Sequence, residues 1–158
     1  MSEPFDFIDA ALQYEVSPHR YPDGASDGLL RYGTSVGAIR GTVRDLARRY
    51  PGMAHDQVTA LSSELWAEPV FERRLAAVVL LQGNVSLLVV TDLTRIEGFI
   101  RSAGTPELTG PLVSDVLMPL VAGLHQAARS RALTVIRRWA HEPDAALRSA
   151  ALALLQLQ

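Results

Sequence analysis

Three arginines, Arg40, Arg44 and Arg48, recur at every fourth residue, with Arg49 beside the last. On a helix that spacing puts them along one stripe. Two readings of the stripe stay open. It is a ridge that meets phosphates, or a solvated face relieved by Asp45 and its acidic neighbours. Two further basic pairs, Arg73-Arg74 and Arg137-Arg138, begin or end other helical patterns. If helical pairs stack into a superhelix, Arg73, Arg138 and Arg148 could join Arg40, Arg44 and Arg48 as phosphate contacts on a concave face.

Other chemistries find little support. The four His residues, His19, His55, His125 and His141, lie far apart and lack metal-ligand spacing. With no Cys in the chain, disulfides and thiolate zinc sites are excluded. No metal or cofactor is expected. Nucleophile elbows and glycine-rich phosphate loops are absent. Asp92 and Glu97 flank an apolar face, but no second carboxylate follows at a fixed short spacing to make an acid–base dyad. Trp66 and Trp139 could stack on a base, yet both fall at the spacing of a helical core, which is the favoured reading.

The 158 residues suffice for one domain with a sizeable core, so residues 1–158 are read as a single helical domain, with 17–31 partly loop. The 48% hydrophobic content argues against disorder. Abundant Ala and Leu with only 6% aromatics favour helix over sheet. Every one of the 15 basic residues is Arg, yet the net charge is −2. Dedicated nucleic-acid binders are usually basic overall, so any such contact must be local. Neither a signal peptide nor an apolar run of bilayer length is present, which predicts a cytoplasmic protein without membrane partners.

Periodicity and punctuation supply the elements. Residues 4–16 read as a first amphipathic helix through Phe5, Ile8, Leu12 and Val16. Residues 17–28, rich in Pro and Gly, read as a loop. A helix over 36–49 has Ser35 as its cap and Pro51-Gly52 as its stop. A second helix starts near Asp56, also a cap candidate, and ends at Pro69. A third starts near Val70 and ends at Gly83-Asn84, read as a left-handed cap. Residues 86–101 form one helix, because a lone strand over 87–90 would leave its backbone unpaired. The next begins near Pro111 and is kinked or divided at Pro119. Residues 129–140 form another. Pro143-Asp144 then caps a last helix that packs through Leu147, Ala151, Leu152 and Leu155. That last element has the form of the second helix of a HEAT repeat, and the fold class is an all-α, HEAT-like helical-repeat solenoid.

The stretch 32–82 resembles the N-terminal half of the AlkD-like DNA alkylation repair proteins, which are HEAT-like DNA glycosylases. The resemblance rests on Tyr32-Gly33, Ile39-Arg40, Leu65-Trp66 and the run Glu72-Arg73-Arg74 before Leu75. It implies DNA as partner and excision of alkylated purines as chemistry. In that family the chemistry falls to a Trp-Asp-x-x-Asp run and, later, an Arg just before an Ala-Ala-Ile-like face.

This chain departs from that set. The best register lays Pro106-Glu107-Leu108-Thr109-Gly110 on the first motif, so Pro106 replaces the Trp, Gly110 replaces the second carboxylate, and only the first acidic position is kept, as Glu107. Moving Asp115 into the carboxylate place sets Pro111 where the Trp belongs. At the later motif Ser149 takes the Arg position, and Arg148 sits one residue earlier, about 100° around the helix. The catalytic set therefore reads as lost.

Three functions follow. The chain is a DNA-binding protein with weak or no base-excision activity; or a protein-interaction scaffold, using its concave face or the apolar end at 150–157; or an active glycosylase with Glu107 or Asp115 and Arg148 as an unusual catalytic set.

Overall fold

A computed structural model describes residues 1–14 and 27–157. The expected loop at 17–26 and the inward Val16 lie outside the described residues. The chain forms two compact units, Met1–Asn84 and Val85–Gln158. The described elements are helical, and the one pairing of extended backbone is an isolated bridge between Leu30 and Val70.

The first unit contains α1 (Glu3–Tyr14), α2 (Val36–Arg49), α3 (His55–Ala67) and α4 (Phe71–Gly83). Helix α2 begins where the sequence predicts: Ser35 is extended, and its hydroxyl accepts from the Ala38 amide at 3.1 Å. Helix α3 starts differently. Its cap is Ala54, and Asp56 lies inside the first turn. Gln57 reaches back instead, its side-chain oxygen accepting from the Ala54 amide at 2.8 Å. Helix α4 ends without a left-handed residue, since Asn84 has φ −126°. The Asn84 side chain donates to the Leu80 carbonyl at 2.8 Å, satisfying an end carbonyl that a glycine cap would otherwise serve. Ile8, Leu12, Ile39, Leu46, Leu61, Leu65, Val78 and Leu81 are all buried within this unit.

The residues of the 32–82 resemblance meet here. Glu72, only 2% exposed, accepts from the amides of Tyr32 at 2.7 Å and Gly33 at 3.3 Å. Arg74 donates to the carbonyls of Trp66 and Glu68 and lies over the Trp66 ring. It thereby satisfies orphan carbonyls at the end of α3. Arg73 grips Asp9 with two hydrogen bonds of 2.7 and 2.9 Å, and the Tyr32 hydroxyl donates to the same carboxylate.

That last cluster sets a pH dependence. Burial alone would raise the Asp9 carboxyl, but hydrogen bonds from Arg73, Tyr32 and Gln13, with the charge of Arg73, outweigh it and hold the group below its ordinary 3.8. A depressed folded-state pKa contributes stability above the unfolded value and loses it as pH falls through the folded one. Thermal unfolding followed from pH 7 down to pH ~3 should therefore show a steeper loss for the native chain than for Asp9→Asn. Parallel curves would mean that Asp9 contributes nothing to acid sensitivity.

In the second unit the apolar run at 87–90 does not continue into one helix. Two 3₁₀ turns, Val85–Leu87 and Val90–Asp92, precede α5 (Leu93–Ser102). Asp92 is the cause: its buried carboxylate accepts from the Val89 amide at 2.7 Å and fixes an extended residue there. The next helix, α6 (Pro106–Pro111), starts five residues earlier than the sequence suggests, with Pro106 in its first turn and Thr105 as cap. A π-helical segment, Leu112–Leu117, leads into α7 (Met118–Gly123). Pro119 falls in the first turn of α7, and the helical backbone runs on through it. Its missing N–H falls where the wide turn has already displaced the regular ladder.

Helices α8 (Gln126–Trp139) and α9 (Ala145–Leu155) complete the unit. Asp144 caps α9, accepting from the Leu147 amide at 3.0 Å. Helix α9 packs through Leu147, Ala150, Ala151 and Leu154, whereas Leu152 is 59% exposed, against the expected face. No helix among the described residues is long and apolar enough to cross a membrane.

Candidate nucleic-acid interface and excision cleft

Helix α2 buries Ile39, Thr42 and Leu46 and leaves Arg40, Arg44, Arg48 and Arg49 exposed. The apolar phase of the helix therefore forces the four-residue arginine stripe outward. Arg40 donates to the Gln82 side chain at 3.3 Å. Arg48 lies 3.5 Å from Asp45, both side chains open to water. Such a pair is worth little and yields readily to a phosphate. Arg44 has no ion-pair partner among the described residues. Arg73 does not extend this stripe: its side chain is 16% exposed and committed to Asp9.

In the second unit, Arg138 lies exposed on α8 beside Arg137. Arg148 is also exposed, its guanidinium donating to the carbonyls of Glu142 and Pro143. Trp139 is fully buried and its indole N–H donates to Glu97, while Trp66 is 4% exposed. Both tryptophans are packing residues. The Glu97–Trp139 pairing had no sequence signal, since 42 residues separate them.

A cleft of about 710 Å³ opens in the second unit, and Pro106, Gly110 and Ser149 all line it. These are the positions where the resemblance expects Trp, a carboxylate and Arg. Pro106 and Gly110 lie one turn apart on α6, and the fold brings Ser149 of α9 to the same place. Glu107 and Asp115 do not line the cleft among the described residues; Glu107 is exposed and Asp115 accepts from the Ser114 hydroxyl. The carboxylate that does line it is Asp144. One of its oxygens is occupied by the Leu147 amide. In the sequence Asp144 is legible only as a cap, since Pro-Asp before a helix carries no other signal.

The family model described as DNA alkylation repair enzyme matches residues 19–157. The chain belongs to that family. Its function accordingly falls within DNA alkylation repair. No curated protein matches the chain by sequence. The cleft lining presents Pro106 and Ser149 at the places where the resemblance sets a stacking aromatic and a cation. Arg101, the cation that does line the cleft, is held by Glu97 at 3.4 Å and Glu142 at 3.2 Å.

Proposed function

We propose that this protein holds duplex DNA and excises alkylated bases weakly or not at all. The convergence of Pro106, Gly110 and Ser149 on one cleft carries the second half of that reading. An alkylated purine is already a good leaving group, so a glycosylase needs chiefly a surface beside the lesion, a carboxylate near the sugar and a cation on the backbone. At the three expected positions this cleft supplies a pyrrolidine ring, a hydrogen and a hydroxyl. The DNA-holding half rests on Arg40, Arg44 and Arg48, exposed along one helix, with Arg138 and Arg148 as further contacts. Arg73 is left out because Asp9 already neutralises it.

The test measures binding and base release on one duplex carrying N3- and N7-methylpurines. Binding should be salt-sensitive, with free base appearing only at the spontaneous rate. Changing Arg40, Arg44 and Arg48 together to Gln should flatten the slope of log affinity against log salt by about 3, as expected for three lost phosphate contacts. Undetectable binding at low salt would remove the reading, and rapid base release would locate the chemistry in other residues.

A protein-interaction scaffold is the second reading. Exposed Leu152 and Leu157 at the end of the chain favour it. A single stoichiometric protein partner, captured without nucleic acid, would place it first.

A further inference from the structure

The first unit carries a groove of about 550 Å³ between α2 and α4, distinct from the cleft in the second unit. Its size is that of a small-ligand site. Arg40 and Arg44 stand on its rim, one helical turn or about 6 Å apart. Its lining holds no carboxylate to neutralise them. Half-buried Val43, Met53 and Val79 give it an apolar floor. Two amides, Gln82 and Asn84, also line it. The Gln82 oxygen accepts from Arg40, which leaves its NH₂ group as a donor. The Asn84 NH₂ group donates to the Leu80 carbonyl, which leaves its oxygen as an acceptor.

We infer that this groove takes one unpaired nucleotide of a DNA strand, its base on the apolar floor and its flanking phosphates on Arg40 and Arg44. Each part of the groove matches a part of that ligand. Two unneutralised guanidiniums suit a phosphodiester backbone. An apolar floor suits the face of a base. One free donor and one free acceptor, on neighbouring amides, suit the hydrogen-bonding edge that an unpaired base exposes. A base inside a duplex offers neither its face nor that edge. The inference deepens the DNA-binding reading and rests on it: the groove beside the arginines that hold the strand would select for a locally opened one.

The experiment compares two probes by fluorescence anisotropy at one salt concentration, a blunt duplex and the same duplex with a single bulged nucleotide. The native chain should bind the bulged probe about tenfold more tightly, the order expected for one base held by its face. Ala47→Trp fills the groove from α2 while keeping both arginines, and should bring the bulged probe down to the affinity of the duplex. Gly83→Phe is the second filling variant; a Cβ at Gly83 meets nothing within 4 Å. Circular dichroism melts establish that each variant is folded. Equal affinity of the native chain for the two probes overturns the inference but spares the DNA-binding reading. So does a preference for the bulge that survives in a folded filling variant. Binding of neither probe overturns both.

Discussion

Replacing Glu72 with Ala should destabilise the protein by about 3 kcal/mol, more than any surface change discussed above. Glu72 is 2% exposed and accepts from two backbone amides, those of Tyr32 and Gly33. Alanine removes both acceptors, leaving the buried Gly33 amide and the half-buried Tyr32 amide without their partner. A buried donor left unsatisfied costs roughly 1–3 kcal/mol, and here two donors lose their acceptor. At about 2–4 °C per kcal/mol for a chain of this size, the midpoint of thermal unfolding should fall by roughly 10 °C. Glu72→Gln keeps one oxygen acceptor of the two and should lose about half as much. The geometry matters because the Tyr32-Gly33 segment leads directly into Ser35 and the start of α2. Calorimetry of the two variants separates the cases: similar small losses would mean that the two amides find other partners and that Glu72 is not the clamp.

Restoring the three substituted positions should produce the largest change in activity. Pro106→Trp, Gly110→Asp and Ser149→Arg together supply a stacking surface, a carboxylate and a cation around one cleft. The local structure admits them. Gly110 is not left-handed, and a Cβ there meets nothing within 4 Å. Ser149 is exposed on α9. The Thr105 cap that starts α6 remains when Pro106 is changed. Base release from methylated duplex DNA should rise by about 100-fold or more in the triple variant. Each single change should stay near the native rate, because groups that act on one transition state are strongly non-additive. A folded triple variant with no gain would mean that these positions are not the ones the chemistry needs.

Both predictions join residues far apart in the chain, and the sequence informed them unequally. The start of α2 was legible because a cap is a local event: Ser35, the apolar phase of Ile39 and Leu46, and Pro51-Gly52 lie within a few turns of one another. Asp144 before α9 was legible for the same reason. The segment at 86–92 was not. Its apolar periodicity is helical, but the Asp92 carboxylate takes the Val89 amide and holds that residue extended. A side-chain acceptor competing with the backbone ladder leaves no trace in a hydrophobic pattern. The substituted positions were visible as departures from a motif. Their meeting in one cleft, with Asp144 beside them, was not.

The sequence by itself determined the all-α class, the family, the outward arginine stripe on α2 and the burial of both tryptophans. The family rests on the resemblance of residues 32–82 to a known motif; the other three follow from short-range periodicity and composition, which set which face of a helix seeks the interior. Only the tertiary structure decided what the charged residues do. Arg73 and Arg74 are neighbours with the same side chain. One closes on Asp9, 64 residues away, and the other on the carbonyls that end α3. Arg44, on the exposed face of α2, has no ion-pair partner among the described residues. A guanidinium has the same chemistry in all three places. Its role is set by whether the fold brings a carboxylate or a carbonyl within hydrogen-bonding distance, and no local pattern encodes that.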